Sequence, residues 1–128
     1  MALATVINIL VVEQPATVRR TLCARLSVEM DMAVVGEAED VASAVSLTHA
    51  QAPHVILLDA EMPHLDLVEG VQTLLTQAPR AGLVILTLHT AAVTHALGAG
   101  VAVIVGKHEG TSALLSAIRR AAAGCQQH

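Results

Sequence analysis

HVILLDAEMP, residues 54–63, sets four aliphatic side chains in a row directly before an aspartate. An apolar run without polar alternation is typical of a parallel strand that helices cover on both faces. The other runs of this kind span residues 6–12, 32–35, 83–88 and 101–105. Together with residues 55–58 they predict five parallel strands, and the aspartate of the quoted stretch follows the third strand.

Segments with helical spacing alternate with these strands. Apolar residues recur at that spacing at the two ends of the chain, in Val18, Leu22 and Leu26, and in Leu114, Leu115, Ile118 and Ala122. Further helices are predicted at residues 41–51, 67–77 and 91–97. Asp40 is the predicted N-cap of the second helix, the last helix begins near Thr111 or Ser112, and Gly124 lies just past its end. The alternation predicts an α/β fold with a doubly wound sheet.

The composition limits the class of protein. A chain of 128 residues that is 54% hydrophobic is long and apolar enough for one domain with a sizeable core. We assign residues 1–124 to this domain and residues 125–128 to a polar C-terminal tail. Charged residues make up only 14% of the chain and the formal net charge is -4. We therefore expect no direct nucleic-acid binding by this chain.

The sequence favours a cytoplasmic protein without a membrane span. The first residues lead directly into a strand pattern instead of a signal peptide. Cys23 and Cys125 lack the C-x-x-C spacing of redox or metal sites, which fits a reducing compartment. The charge-free stretch 81–106 is long enough to cross a bilayer, but Gly98 and Gly100 interrupt it. Two buried strands around a short helix explain this stretch better.

Polar side chains stand where four of the predicted strands end. Glu13 and Gln14 follow the first strand, Asp59 the third, Thr87 lies at the end of the fourth, and Lys107 follows the fifth. Because the carboxyl ends of parallel strands meet at one edge of the sheet, these groups should converge. Acids, a hydroxyl and an ammonium gathered there can hold a divalent cation and a phosphoryl group together.

The same stretches carry a resemblance to a known family. HVILLDAEMP resembles the phosphoacceptor strand of bacterial response regulator receiver domains. The other matching stretches follow in order and cover nearly the whole chain: NILVVEQPATVRRTL, VVGEAED, VILTL and GKHEGTSALLSAIRRAAAG. The second and the last of these look most like the NarL/LuxR-type receivers, which precede a helix-turn-helix output domain in transcriptional regulators. The resemblance implies the CheY-like, flavodoxin-like sheet of order 2-1-3-4-5, with five helices on both faces.

The resemblance also implies a function and its residues. The chain would be a phosphorelay receiver of a two-component system, a phosphoacceptor and not a conventional enzyme, which a sensor histidine kinase phosphorylates at Asp59. Thr87 and Lys107 would stabilise the transferred charge. Mg²⁺ would be held by Glu13, Gln14, Asp59 and the backbone carbonyl of Glu61, whose side chain should point to solvent. Phosphorylation would then control association with an output domain or partner.

Two departures from the family pattern favour an alternative function. The usual pair of acids after the first strand is here Glu13 and the neutral Gln14, so Mg²⁺ binding should be weak. The aromatic switch position, three residues before Lys107, holds Ile104, which has no ring to move inward. The alternative is an atypical pseudo-receiver that acts as an interaction or dimerisation module without phosphorylation.

Simpler interpretations of the candidate residues remain open. Asp59 could only cap a turn, and Thr87 could be an ordinary β-branched strand residue. Lys107 could serve as a structural partner that neutralises Asp59. Gln14 could be a polar residue at a strand exit or could donate a hydrogen bond to Asp59. The seven histidines show no zinc-site spacing, and no additional nucleophile and base pair suggests another enzyme.

The fourth predicted helix has an unusual surface. Residues 91–97 contain no charged side chain, so the exposed face must consist of Ala, Thr, His or Val. Uncharged exposed patches often mark association sites. We therefore predict a homodimer that forms through the fourth helix, the fifth strand and the fifth helix.

Overall fold

The computed structural model describes residues 5–126, and in this part of the chain five strands alternate with five helices. The strands are β1 (Ile7–Val12), β2 (Met32–Ala38), β3 (Val55–Asp59), β4 (Gly82–Thr87) and β5 (Val103–Gly106). The helices are α1 (Ala16–Ser27), α2 (Val41–Gln51), α3 (Leu67–Gln77), α4 (Thr90–Leu97) and α5 (Thr111–Gln126). The predicted alternation is therefore confirmed, and α2 and α3 have the predicted bounds.

The sheet has the order β2-β1-β3-β4-β5, and each neighbouring pair is parallel. This is the predicted flavodoxin-like topology. The chain runs from β1 outward to β2 and then returns to β3 on the other side of β1, so the strand order reverses between β1 and β3. Ligands of such sheets bind at this switch point, at the carboxyl ends of the strands.

Hydrophobic cores lie on both faces of the sheet, which explains why the strands are apolar without alternation. On one face Ile9 and Val11 of β1 pack in a cluster with residues of α1 and α5. On the other face Leu10 and Val12 belong to a cluster that includes residues of α2, α3 and α4. Gly82 lets α5 approach β4 closely, because a Cβ atom there would lie 2.6 Å from the carbonyl oxygen of Ala121.

Several boundaries differ from the sequence-based predictions. β2 continues to Ala38, and β5 begins only at Val103. The last helix does not end before Gly124 but continues to Gln126, since Gly124 does not adopt the left-handed conformation that terminates a helix. The proposed tail, residues 125–128, thus begins within α5, and its last two residues lie outside the described residues. The division between domain and tail stays a prediction.

Helix α1 turns inward part of the face that its spacing suggests, because Leu22 and Leu26 pack against the core and Val18 does not. Leu26 is buried as expected, but Val18 is 50% exposed and Cys23 takes the inward position beside Leu26. Burial raises the pKa of the Cys23 thiol to about 11, so this thiol is unreactive at neutral pH. The side chain of Cys125 lies outside the described residues.

The charge-free stretch of the sequence folds into β4, α4 and β5. Among the helices that the structure describes, none is long and apolar enough to span a bilayer. The prediction of two strands around a short helix is therefore confirmed. Ile104, at the position where an aromatic residue was expected, is partly buried against the core on the α4 side.

Candidate functional site

The ends of four strands bring an acid, a hydroxyl and an amine together at the carboxyl edge of the sheet. Glu13 directly follows β1, Asp59 ends β3, Thr87 ends β4 and Lys107 directly follows β5. Glu13, Asp59 and Thr87 are buried, with exposed fractions of 4%, 7% and 0%. The backbone N–H of Lys107 donates to the Thr87 carbonyl over 2.8 Å, which fixes the ends of β4 and β5 side by side.

Asp59 is held by two donors at one carboxylate oxygen. The Lys107 ammonium lies 2.7 Å from its Oδ1 atom, and the backbone N–H of Glu61 donates to the same oxygen over 2.9 Å. Burial by itself would raise the pKa of Asp59, but hydrogen bonds with Glu13, Lys107 and the Glu61 amide outweigh it and hold the pKa below its usual range. Asp59 is therefore an ionised carboxylate at neutral pH.

Glu13 faces Asp59 across the switch point. Burial, followed by the hydrogen bond and the charge of Asp59, raises the pKa of Glu13 to about 7. The Glu13 carboxyl therefore keeps its proton below about pH 7 beside the ionised Asp59. We call these two carboxylates the acidic side of the site.

Within residues 5–126, Gln14 forms no hydrogen bond with the acidic side through its side chain. Among the hydrogen bonds of the described residues, the suggested bond from the Gln14 amide to Asp59 is absent, and Gln14 takes part only through its backbone. Gln14 is also among the residues that line a cavity of about 440 Å³ next to α2 and α3, which Glu13, Asp59 and Lys107 do not line. The structure thus brings Glu13, Asp59, Thr87 and Lys107 together, and Gln14 adds no charge to them.

Arg19 holds the loop that carries both residues, a role that the sequence did not suggest. Its guanidinium donates to the carbonyl oxygens of Glu13 and Gln14 over 2.9 and 3.3 Å, and to the carboxylate of Glu37 over 2.9 Å. The first of these contacts fixes the backbone just before the chain turns into α1. No local motif signals such a role, because Glu37 comes from β2.

The side chain of Glu61 lies in the site, and the expectation that it points to solvent was wrong. One carboxylate oxygen accepts from the Thr87 hydroxyl over 2.6 Å, and the other accepts from the Leu88 backbone N–H over 2.8 Å. That second oxygen also lies 3.1 Å from the Lys107 ammonium. Burial would raise the pKa of Glu61, but the bonds from Thr87, Leu88 and Lys107 lower it. The carboxylate turns inward because three donors from β4 and β5 face it.

We call these three donors, the Thr87 hydroxyl, the Leu88 N–H and the Lys107 ammonium, the anion pocket. Thr87 is held for donation because its oxygen accepts from the His89 N–H over 2.9 Å. Burial would lower the pKa of Lys107, but its contacts with Asp59 and Glu61 raise it, so the ammonium keeps its proton. The pocket can therefore bind an anionic oxygen next to Asp59.

A broad groove runs from the site along α1. Its volume is about 810 Å³, and Asp59 and Lys107 lie at its base while Val18 and Leu22 form part of its apolar wall. Val18, which the helical spacing placed on the inward face, is thus part of the groove. A partner that approaches Asp59 along this wall meets apolar surface before it reaches the charges.

A divalent cation fits the acidic side only in part. Glu13 and Asp59 offer oxygen ligands of the kind that Mg²⁺ prefers, but the raised pKa of Glu13 keeps its carboxyl protonated below about pH 7. In the described part of the chain, no group of three or more His, Cys, Asp or Glu side chains has the arrangement of a metal site. The donor set that remains is two carboxylates and backbone carbonyls.

Comparison with known proteins identifies the family. Residues 9–119 match the response regulator receiver domain family. The chain is 39% identical over 93 residues to a protein-glutamate methylesterase/protein-glutamine glutaminase of Anaeromyxobacter dehalogenans, with coverage of 73% of this chain and 26% of that protein. It is 30% identical over 120 residues to the transcriptional regulatory protein DegU of Brevibacillus brevis, with coverage of 92% and 51%.

A solved structure extends the likeness to the fold. A LuxR-family two-component response regulator from Aurantimonas sp. SI85-9A1 superposes with a TM-score of 0.83 at 25% identity, over 94% of this chain and 87% of that one. The resemblance to NarL/LuxR-type receivers is therefore supported, and methylesterases are similar to the chain as well. The chain spans 26% and 51% of the length of the two curated relatives described above.

Proposed function

The chain belongs to the response regulator receiver domain family, and from that premise we propose that Asp59 accepts a phosphoryl group from a histidine kinase. The observation that carries the proposal is the buried, ionised Asp59 carboxylate beside an anion pocket. Receiver domains of two-component signalling are phosphoacceptors and not conventional enzymes. The residue that accepts the group in this chain is the point under proposal.

The chemistry is a phosphoryl transfer between two residues. An oxygen of the Asp59 carboxylate attacks phosphorus, the P–N bond of the donor phosphohistidine breaks, and the electron pair stays on the donor nitrogen, which takes a proton from solvent. The product is an acyl phosphate on Asp59. The Thr87 hydroxyl and the Lys107 ammonium stabilise the charge on the phosphoryl oxygens, and the Leu88 N–H adds a third donor.

Mg²⁺ belongs to this proposal as a weakly bound cofactor. Glu13, Asp59 and the backbone carbonyl of Glu61 would hold it, and the cation supplies positive charge to the phosphoryl oxygens when bound. Gln14 adds no charge there, which lowers the expected affinity. The Glu13 carboxyl must also lose its proton before it can act as a ligand.

The groove along α1 supports a kinase partner of helical shape. Val18 and Leu22 are spaced to contact a helix that lies against α1, and the groove opens onto Asp59 and Lys107. A phosphohistidine carried on that helix would then reach the site. We place the receiver in the cytoplasm, where such kinases present their phosphohistidine.

The output is proposed to pass through association. The exposed face of α4 consists of uncharged residues, among them Ala91, Ala92 and His95. This face supports a homodimer or a contact with an output domain through α4, β5 and α5. The likeness to DegU supports an output domain that regulates transcription.

A second candidate function has its own support. Position 14 holds the neutral Gln14 where an acid is usual, and Ile104 offers no aromatic ring to couple the site to α4. These features favour a pseudo-receiver that associates with partners without phosphorylation.

Intact mass spectrometry separates the two functions. The protein is incubated with Mg²⁺ and acetyl phosphate, with Asp59→Asn as the matched variant. We expect a mass increase of one phosphoryl group that Asp59→Asn abolishes. If the wild-type protein stays unmodified at saturating Mg²⁺, and its oligomeric state is the same before and after the incubation, the pseudo-receiver function replaces the phosphoacceptor function.

A further inference from the structure

The anion pocket already contains an anion that the chain itself supplies. All three of its donors contact the Glu61 carboxylate: the Thr87 hydroxyl at 2.6 Å, the Leu88 N–H at 2.8 Å and the Lys107 ammonium at 3.1 Å. A carboxylate that meets three separate donors is bound as a ligand would be.

The position of this carboxylate is set by the backbone of the same residue. The Glu61 N–H donates to Asp59 Oδ1 over 2.9 Å, while the side chain reaches past Asp59 into the pocket. Lys107 spans both acids, at 2.7 Å from Asp59 and 3.1 Å from Glu61. The Glu61 carboxylate is therefore next to the nucleophile, where the oxygens of an incoming phosphoryl group must lie.

We propose that Glu61 is an intramolecular competitor for the phosphoryl group and must leave the anion pocket before Asp59 reacts. The inference rests on the proposed function, because it concerns the same pocket. The donors bind either the Glu61 carboxylate or the phosphoryl oxygens, since one hydroxyl hydrogen and one N–H can each serve one strong acceptor. The fraction of molecules in which Glu61 occupies the pocket thus sets how often the site is open to a phosphodonor.

The structure gives Glu61 a route out of the pocket. Its side chain is 27% exposed, whereas Thr87 is fully buried. Rotation of the Glu61 side chain toward the groove would leave the Thr87 hydroxyl and the Lys107 ammonium in place, because the first accepts from the His89 N–H and the second keeps its contact with Asp59. The pocket therefore stays formed when the competitor leaves.

Two substitutions of Glu61 separate the effect of filling the anion pocket from the effect of the negative charge. Glu61→Asp keeps the charge but shortens the side chain by one C–C bond, about 1.5 Å, which breaks hydrogen bonds of ordinary length. Glu61→Gln keeps the length and loses the charge that faces Lys107. The matched controls are Glu39→Asp and Glu39→Gln, since Glu39 is an exposed acid after β2 that contacts none of the three donors.

The first measurement is the binding of inorganic phosphate at a fixed Mg²⁺ concentration, which the shift of the Leu88 amide resonance reports. We expect phosphate affinity to rise about tenfold in Glu61→Asp, as for a site that is open about a tenth of the time in the wild type, and to rise less in Glu61→Gln. Both Glu39 variants should match the wild type. If Glu61→Asp binds phosphate no more tightly than the wild type, the proposal is overturned.

The second measurement is the rate of Asp59 phosphorylation by acetyl phosphate in the same proteins. The rate should rise about tenfold in Glu61→Asp for the same reason. Tighter phosphate binding without a phosphorylated Asp59 in either protein would keep Glu61 as a competitor and reject Asp59 as the acceptor. An equally faster reaction in Glu39→Asp would show that shortening an acid outside the pocket has the same effect, and would reject the competitor.

Discussion

The two halves of the site differ in how complete they are. The anion pocket has three donors that are oriented by β4 and β5 and satisfied by one carboxylate. The acidic side has the ionised Asp59 beside Glu13, whose pKa is raised to about 7, and position 14 adds no charge to them. The anion pocket is thus fully formed and filled by the Glu61 carboxylate, while the acidic side carries less negative charge than two ionised acids would.

The difference has a simple electrostatic reason. The single positive charge of Lys107 lies 2.7 Å from Asp59 and 3.1 Å from Glu61, and both carboxyls have lowered pKa values. Burial, followed by the hydrogen bond and the charge of Asp59, raises the pKa of Glu13 to about 7.

The largest effect is expected at Lys107, which joins the halves. Lys107→Met removes the charge from the anion pocket, and loss of one preorganised donor typically lowers the rate by about 100-fold. The phosphorylation rate with acetyl phosphate measures this. Because the ammonium no longer stabilises the carboxylate, the pKa of Asp59 should also rise, which a carboxyl NMR titration detects.

Arg80→Met is the control for Lys107, because Arg80 is an exposed cation in the loop before β4. It should leave the rate and the Asp59 pKa unchanged. Equal phosphorylation of Lys107→Met and wild type would show that the anion pocket takes no part in the transfer.

The second effect concerns the proton of the Glu13 carboxyl. The pKa of Glu13 is about 7 in the folded protein and near 4.5 in the unfolded chain. The folded state therefore binds more protons between these values, and stability falls as the pH rises from 4.5 to 7. Glu13→Gln removes this loss. The free energy of unfolding of Glu13→Gln relative to that of the wild type should therefore rise by about 2 kcal/mol from pH 5 to pH 8.

Urea unfolding at both pH values, without Mg²⁺, checks the gain. Glu39→Gln serves as the exposed control and should show no such pH dependence. A constant difference between Glu13→Gln and wild type at pH 5 and pH 8 would mean that Glu13 is ionised throughout.

The third effect is expected when an acid is placed at position 14, where the sequence has the neutral Gln14. Gln14→Asp adds a carboxylate directly after Glu13. At about 4 Å from a divalent cation and an effective dielectric of about 20, the gross attraction is about 8 kcal/mol, and after the cost of desolvation we expect Mg²⁺ affinity to rise about tenfold. Calorimetric titration with Mg²⁺ measures it. Gln72→Asp on the exposed side of α3 is the control for charge alone. Equal affinities in the two variants would mean that position 14 cannot reach the cation.

The smallest effect is expected at Arg19, which fixes the loop of the acidic side. Arg19→Met removes the bonds to the carbonyls of Glu13 and Gln14 and the ion pair with Glu37. We expect a loss of about 1 kcal/mol in the free energy of unfolding and faster exchange of the Gln14 amide. Arg20→Met, at the exposed neighbouring position, should change neither. An unchanged Gln14 exchange rate would show that the loop is fixed by its other contacts.

Much of the fold could be predicted because its signals are local. The run before Asp59 and the cap of α2 are readable from neighbouring residues, and the structure places Asp40 as the α2 cap through a bond from the Ser43 N–H. The end of α5 could not be predicted, because a glycine ends a helix only where its backbone turns left-handed. The inward face of α1 depended on the packing of Cys23 against the sheet.

The sequence alone determined that Asp59, Thr87 and Lys107 meet, because parallel strands end at one edge and each residue stands at such an end. Only the tertiary structure decided where the Glu13, Gln14 and Glu61 side chains point. The partner of Glu61 is Thr87, 26 residues away along the chain. The rotamer of a loop side chain follows the donors that neighbouring strands present, and those donors come together only when the sheet has formed.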